Sequence, residues 1–203
     1  MTVGVPVLIL GESGSGKSTS LRNFEDSEIG IFNVASKPLP FRKKLKRVDG
    51  ASYELIKATM KKSKLKTFAI DDSQYLMAFA GFSRAKETGY QKFTEFALDF
   101  YNLVQFVVQE LPPDVIVYFL HHTETSDTGR TKAKTIGKML DSQLTLEGLF
   151  SIVLLCQTDG QRHYFVTQSD GYTTAKSPME MFTSEIDNDL KMVDQTIREY
   201  WEL

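Results

Sequence analysis

Apolar and polar residues are grouped along this chain in blocks of two kinds. The first kind is short and almost free of polar interruption: Val5-Pro6-Val7-Leu8-Ile9-Leu10, Ile29-Gly30-Ile31-Phe32-Asn33-Val34, Thr67-Phe68-Ala69-Ile70, Val115-Ile116-Val117-Tyr118-Phe119-Leu120 and residues 151–157. These runs have strand length and no polar face, so they predict strands covered on both sides. The second kind repeats apolar residues at spacings of three and four. It spans residues 53–60, residues 93–111 (stopped by Pro112-Pro113) and residues 187–200, and predicts helices. Residues 81–89 read as a charged loop. Thr158-Asp159-Gly160-Gln161 reads as a turn, from which residues 163–167 return as a hairpin strand. Strand and helix alternate, so the prediction is a three-layer α/β/α fold. Its central sheet is mostly parallel, and it ends in a β-hairpin and a helix. With no internal repeat and no linker, residues 1–203 read as a single domain.

The first apolar run leads into Gly11-Glu12-Ser13-Gly14-Ser15-Gly16-Lys17-Ser18, the G-x-x-x-x-G-K-S pattern of a P-loop. Its glycines let successive backbone N–H groups turn inward around phosphate oxygens. Lys17 is placed for the β- and γ-phosphates, and the Ser18 hydroxyl for a metal ion. Residues 11–19, through Thr19, form the expected cradle. A helix starting near Lys17 and running through Phe24 would add its positive end. The ligand this implies is ATP with Mg²⁺.

In an open parallel sheet, ligands bind beyond the C-terminal ends of the strands. Asp71-Asp72 come directly after the run 67–70, which is the form of a Walker B element. Asp71 is the candidate for holding Mg²⁺, commonly through water, and Asp72 for polarising the attacking water. The plainer alternative is two acids capping the next helix. His121-His122 end the run 115–120. Side chains alternate along a strand, so one histidine faces the site and the other faces away. His121 is the candidate for touching the γ-phosphate, and a pair of histidines with no role is the alternative. Residues 124–138 then form a polar, glycine-containing loop with four basic residues: Arg130, Lys132, Lys134 and Lys138.

The formal net charge is −2 over 203 residues, and 41% of these are hydrophobic. That balance hides an asymmetry. Residues 42–66 carry ten basic side chains and two acids, and residues 177–203 carry seven acids and two basic side chains. Such a split suggests a side facing a polyanion, or a head-to-tail contact between subunits. Cys156, the only cysteine, lies in an apolar run and reads as a buried structural thiol. There is no membrane-length apolar stretch and no basic leader ahead of the first run, so a cytoplasmic protein is expected.

The P-loop, Phe68-Ala69-Ile70-Asp71-Asp72, the strand ending in His121-His122 and the basic loop after it succeed one another in the order seen in RecA-like P-loop ATPases. The chain resembles the small phage nucleotide-binding proteins of that group, with an AAA-type ATPase core, some of which are encoded beside phage recombination and replication genes. The resemblance implies a RecA-like core, ATP hydrolysis, and self-association into a ring or filament with sites at subunit interfaces. It also implies single-stranded DNA as partner, and a cytoplasmic setting in the host cell if the gene is phage-encoded. In this group a Lys or Arg from a neighbour reaches the γ-phosphate. Lys176, in Thr174-Ala175-Lys176-Ser177-Pro178, stands in that place, alone where some relatives have a Lys-x-Arg pair. A glutamate expected after the second strand is absent, since Val34-Ala35-Ser36-Lys37 supplies none. Either Asp72 takes its role or turnover is slow. Three functions are compatible with these residues: an ATPase acting on single-stranded DNA; a small P-loop kinase using the basic loop as a lid; and a nucleotide-dependent scaffold with little turnover.

Overall fold

The structure is a computed structural model and describes residues 3–127, 129–137 and 139–203. Its strands are β1 (Val5–Gly11), β2 (Ile29–Asn33), β3 (Arg47–Asp49), β4 (Thr67–Asp71), β5 (Ile116–Thr125), β6 (Thr131–Ala133), β7 (Ile152–Thr158), β8 (His163–Val166) and β9 (Glu185–Asp187). Its α-helices are α1 (Tyr53–Lys62), α2 (Gln74–Ser83), α3 (Gln91–Glu110) and α4 (Leu190–Trp201). The strands join into one sheet in the order β3-β2-β4-β5-β1-β7-β8-β9, and β6 pairs with the outer end of β5. The pairs from β3 to β7 are parallel. β8, β9 and β6 add antiparallel partners. This is the expected three-layer α/β/α arrangement, with a mostly parallel central sheet and a C-terminal hairpin and helix.

The unbroken apolar strands are explained by what covers the sheet. Leu8, Leu10, Phe32, Ile70, Val117, Phe119 and Val153 point to one face, where Ile56, Met60, Phe100, Leu103 and Val107 of α1 and α3 bury them. Val7, Ile9, Ile31, Ala69, Tyr118, Leu120 and Leu154 point to the other face, against Leu21, Phe24 and Leu190, Val193 and Ile197 of α4. Each strand residue thus finds an apolar layer whichever way it points, and no position is left for a polar stripe.

Two local expectations are corrected. The segment after the P-loop is a single 3₁₀ turn, Ser18–Leu21, and not a helix through Phe24. Side chains take carbonyls that a continuing α-helix would use. The Ser20 hydroxyl donates to the Lys17 carbonyl at 2.5 Å, and the Arg22 guanidinium donates to the Thr19 carbonyl at 3.2 Å. The phosphate cradle expected from the sequence would therefore rest on loop N–H groups, with little help from a helix dipole. Second, α2 continues through Gly81 to Ser83, so the charged loop is shorter than its sequence suggests.

Charge is distributed differently from the sequence split. α4 lies across the sheet beside the basic segment, and Arg198 donates to the backbone carbonyls of Lys66 and Asp114. Within residues 42–66, Lys43 pairs with Glu25, Lys46 with Asp26, Arg47 with Asp49, Lys61 with Glu110 and Lys66 with Asp114. Half of the ten basic side chains thus have an acid of the same chain as partner. Arg42, Lys44, Lys62 and Lys64 are exposed. Among the described residues, no helix is long and apolar enough to cross a membrane.

Candidate functional site

β1, β4 and β5 end side by side, and their C-terminal ends build the site. β5 lies between the P-loop strand and the strand that delivers the two aspartates. A cavity of about 340 Å³ opens there. Gly14, Lys17, Ser18, Asp71, Asp72 and His122 line it, and Thr19, Lys37, Pro38 and Pro40 close one wall.

The P-loop curls at Gly14 (φ 82°) and Gly16 (φ 102°), both in the left-handed region that favours glycine. At Gly16 space excludes a side chain as well, because a Cβ there would lie 2.8 Å from the His163 ring. That ring, on the β7–β8 hairpin, sits 2.7 Å from the Ser15 carbonyl through Nδ1. The hairpin therefore braces the loop from behind. Asn188 braces it from below, donating to the Gly16 carbonyl at 3.3 Å and to Cys156 Sγ at 3.1 Å. The Cys156 thiol is buried, donates to the Ser15 carbonyl at 3.0 Å, and is pushed up to about 11 by burial. It is a packing group under the loop, and in that state it is not a nucleophile.

Lys17 is 6% exposed and folds back over the loop, its Nζ 2.7 Å from the Gly11 carbonyl and 2.8 Å from that of Glu12. Burial lowers its pKa, and Cys156, Asp72 and Asp71 oppose the shift. The Ser18 hydroxyl donates to Asp71 Oδ1 at 2.7 Å. Burial raises the Asp71 pKa, against the bond from Ser18. A hydroxyl and a carboxylate held together are hard oxygen donors, the kind that suits Mg²⁺, which takes few protein ligands and completes its shell with water and phosphate. The residues fit the ion, and Ser18 and Asp71 would hold it.

Asp72 has a left-handed backbone (φ 58°), tolerated by aspartate and uncommon elsewhere. That twist turns its carboxylate away from the strand into the cavity. There it accepts from Lys37 Nζ at 2.8 Å and lies 3.0 Å from His122 Nε2. The Tyr75 ring closes the cluster, 4.9 Å under Lys37 Nζ and 5.2 Å from the His122 ring. Burial alone would raise the Asp72 pKa, but His122 and Lys37 together outweigh it, and the net shift is downward.

The two histidines part as alternation requires, but His122 is the one facing the cavity. His121, the candidate chosen from sequence, is fully buried on the other side. Its Nδ1 lies 2.9 Å from Ser73 Oγ, its Nε2 lies 2.8 Å from the Lys134 carbonyl, and its ring packs edge-on against Phe100. Both nitrogens are committed, so His121 is a clamp between β5, α2 and the segment after β6. Burial drops its pKa from 6.5 to about 4. Folding thus forbids a proton that the unfolded chain accepts. The stabilisation is complete above pH 6.5 and is lost as pH falls towards 4, by about 3 kcal/mol in all. Denaturant midpoints should fall over that interval, and a His121→Gln variant should give a flatter profile. Equal slopes in the two proteins would contradict this.

Lys176 does not line the cavity of its own chain. Its backbone N–H and carbonyl both bond Val153 of β7, at 2.9 and 2.8 Å. Val153 pairs with Leu8, set back from the P-loop. The stretch after the histidines is less free than a lid. β5 and β6 pair at Thr123–Ala133, Glu124–Lys132 and Thr125–Thr131, and Lys132 meets Glu124 at 3.3 Å. The hairpin is pinned by Thr131 N–H to the Tyr172 carbonyl at 2.8 Å and Ala133 N–H to Glu147 Oε1 at 2.8 Å. Arg130 and Lys134 remain exposed. Thr128 and Lys138 lie outside the described residues.

Sequence reasoning misses three members of the site. His163 comes from a hairpin about 150 positions away, and nothing local marks it. Lys37 enters the sequence pattern only as the place of a missing glutamate. Tyr75 looks like an ordinary core aromatic.

No family model and no curated protein matches the chain. Among solved structures, it is similar to a KaiC-like protein from the hyperthermophilic archaeon Pyrococcus horikoshii OT3. The two are 17% identical, with a TM-score of 0.47, over 86% of this chain and 84% of the other. At that distance any functional reading has to come from this chain's own residues.

Proposed function

We propose that this protein binds ATP with Mg²⁺ and hydrolyses it by attack of water on the γ-phosphate. The observation that carries the reading is the Ser18–Asp71 hydrogen bond of 2.7 Å, with the Asp72 carboxylate one residue on and turned into the same cavity. The P-loop amides and Lys17 would hold the phosphates. A bound Mg²⁺ would offset charge on the β- and γ-phosphates. Asp72 would orient water and take its proton. A kinase needs an acceptor seat and a lid. The pinned β5–β6 hairpin is a poor lid, and this favours water as the nucleophile.

The proposal extends to single-stranded DNA as partner and to self-association in a ring or filament, with Lys176 reaching a neighbour's phosphates. In support, β5 carries His122 at the cavity and continues directly into the turn that bears Arg130. A strand bound there would pull on the strand that touches Asp72. Arg42, Lys44, Lys62 and Lys64 offer further phosphate contacts. The test is ATP turnover and binding of a labelled oligonucleotide, titrated with salt. With about four phosphate contacts, affinity should fall roughly 50-fold between 50 and 200 mM salt, and the oligonucleotide should raise turnover. Salt-independent binding, or turnover indifferent to DNA, would remove the DNA part and leave the ATPase intact.

A further inference from the structure

We propose that Lys37 is a γ-phosphate ligand supplied within the chain, held in reserve on Asp72 and handed to the phosphate when a triphosphate enters. The inference rests on the reading of the cavity as an ATP site and adds the residue that tells ATP from ADP.

Lys37 sits in the loop after β2, and its side chain is 57% exposed although its Nζ ends inside the cavity. The loop is fixed. The Asn33 amide donates to the Lys37 carbonyl at 2.8 Å, the Lys37 N–H donates back to Asn33 Oδ1 at 3.3 Å, and Ser36 takes a left-handed turn (φ 55°). Pro38 and Pro40 stiffen the chain on the other side of Lys37. The backbone is therefore set and the head group is free to swing, as a long flexible stem with a compact charge allows.

Its partner in this structure is Asp72, at 2.8 Å. Asp72 has a second partner in His122, 3.0 Å away on the other oxygen. While both are in place, each oxygen of that carboxylate is occupied by a donor or ring nitrogen. Neither oxygen then faces an open place for a water molecule. A γ-phosphate entering beside Lys17 and Ser18 brings several negative oxygens close to Lys37. A phosphate oxygen competes well for an ammonium, because charge-assisted bonds are the strong ones. Once Lys37 leaves, one Asp72 oxygen is open to a water molecule. Tyr75 remains under the Lys37 head group at 4.9 Å and can guide it in either position. A diphosphate lacks the group that draws Lys37 away, so Asp72 stays occupied.

Lys37 would thus add a cation from within the chain to the one that a neighbour's Lys176 would bring, and it stands in the loop after β2 where an acid is absent.

The test is equilibrium binding of a non-hydrolysable ATP analogue and of ADP, each with Mg²⁺, to the full-length protein. Wild type, Lys37→Met and Lys37→Arg are compared, with thermal melts to confirm that each variant folds. Wild type should prefer the triphosphate. Lys37→Met should lose that preference by about 10- to 100-fold, the value of one hydrogen bond to a charged group, with ADP affinity nearly unchanged. Lys37→Arg should restore most of it. A Lys37→Met variant with the wild-type ratio of the two affinities would overturn the proposal. So would equal weakening of both ligands, which would mark Lys37 as a loop-building residue only. A wild type that binds the triphosphate without preferring it would also overturn it. Failure of wild type to bind either nucleotide would overturn the ATP reading and this proposal with it, which is a distinguishable result.

Discussion

An Asp72→Asn variant should bind ATP as well as the wild type and hydrolyse it about 10²- to 10⁴-fold more slowly, the range expected for loss of a positioned general base. Asparagine is the informative choice. It keeps the size of aspartate and tolerates the left-handed backbone at φ 58°, so the β4–α2 turn should survive. It removes the charge that pairs with Lys37 at 2.8 Å, which frees that ammonium for phosphate. Binding should therefore be kept or tightened while the chemical step fails. The measurement is kcat and KM for ATP alongside direct nucleotide affinity. Unchanged kcat would take the water-activating role from Asp72. Loss of affinity together with rate would show a positioning role in the loop.

The largest effect on stability is expected at the far side of the sheet. Arg198→Ala should cost about 2–3 kcal/mol, below the penalty for a fully buried ion pair because the Arg198 side chain is 23% exposed. Asp194 is 7% exposed. Its carboxylate accepts from Arg198 Nε at 2.7 Å, from Thr67 Oγ1 at 3.0 Å and from Tyr118 Oη at 3.2 Å. Arg198 also donates to the Asp114 and Lys66 carbonyls. Truncation strands the carboxylate and frees the end of α4 from the edges of β4 and β5. An Arg198→Met, Asp194→Leu double variant should recover only part of the loss, because it removes the stranded charge but leaves the buried Tyr118 and Thr67 hydroxyls without their acceptor. Chemical denaturation of the three proteins settles it. A single variant within about 0.5 kcal/mol of wild type, typical of surface substitutions, would show that the pair does not anchor α4.

Much of this molecule is legible in its sequence because apolar strands with two covered faces read as unbroken runs, and because G-x-x-x-x-G-K-S has one dominant physical use. Asp71 is legible through its position after such a run, and the structure joins it to Ser18. What escapes the sequence depends on register and on distance along the chain. Which histidine faces the cavity is set by the phase of β5 against its neighbours, and that phase cannot be read from two adjacent histidines. Lys37 meets Asp72 only because β2 and β4 are paired neighbours, bringing together positions 35 residues apart. The helix after the P-loop is overestimated because Ser20 and Arg22 satisfy carbonyls locally, and pattern alone does not reveal that competition. The basic segment looks like a polyanion surface because the acids that pair with much of it, such as Glu25, Glu110 and Asp114, lie outside residues 42–66.

The most direct test of the central claim is single-turnover release of inorganic phosphate from ATP, with protein in excess and no added acceptor. The account predicts release by the wild type with magnesium, none above background with a chelator, and none in Lys17→Ala. Tightly bound ATP that yields no phosphate under these conditions, or yields it only when an acceptor is supplied, would contradict the account.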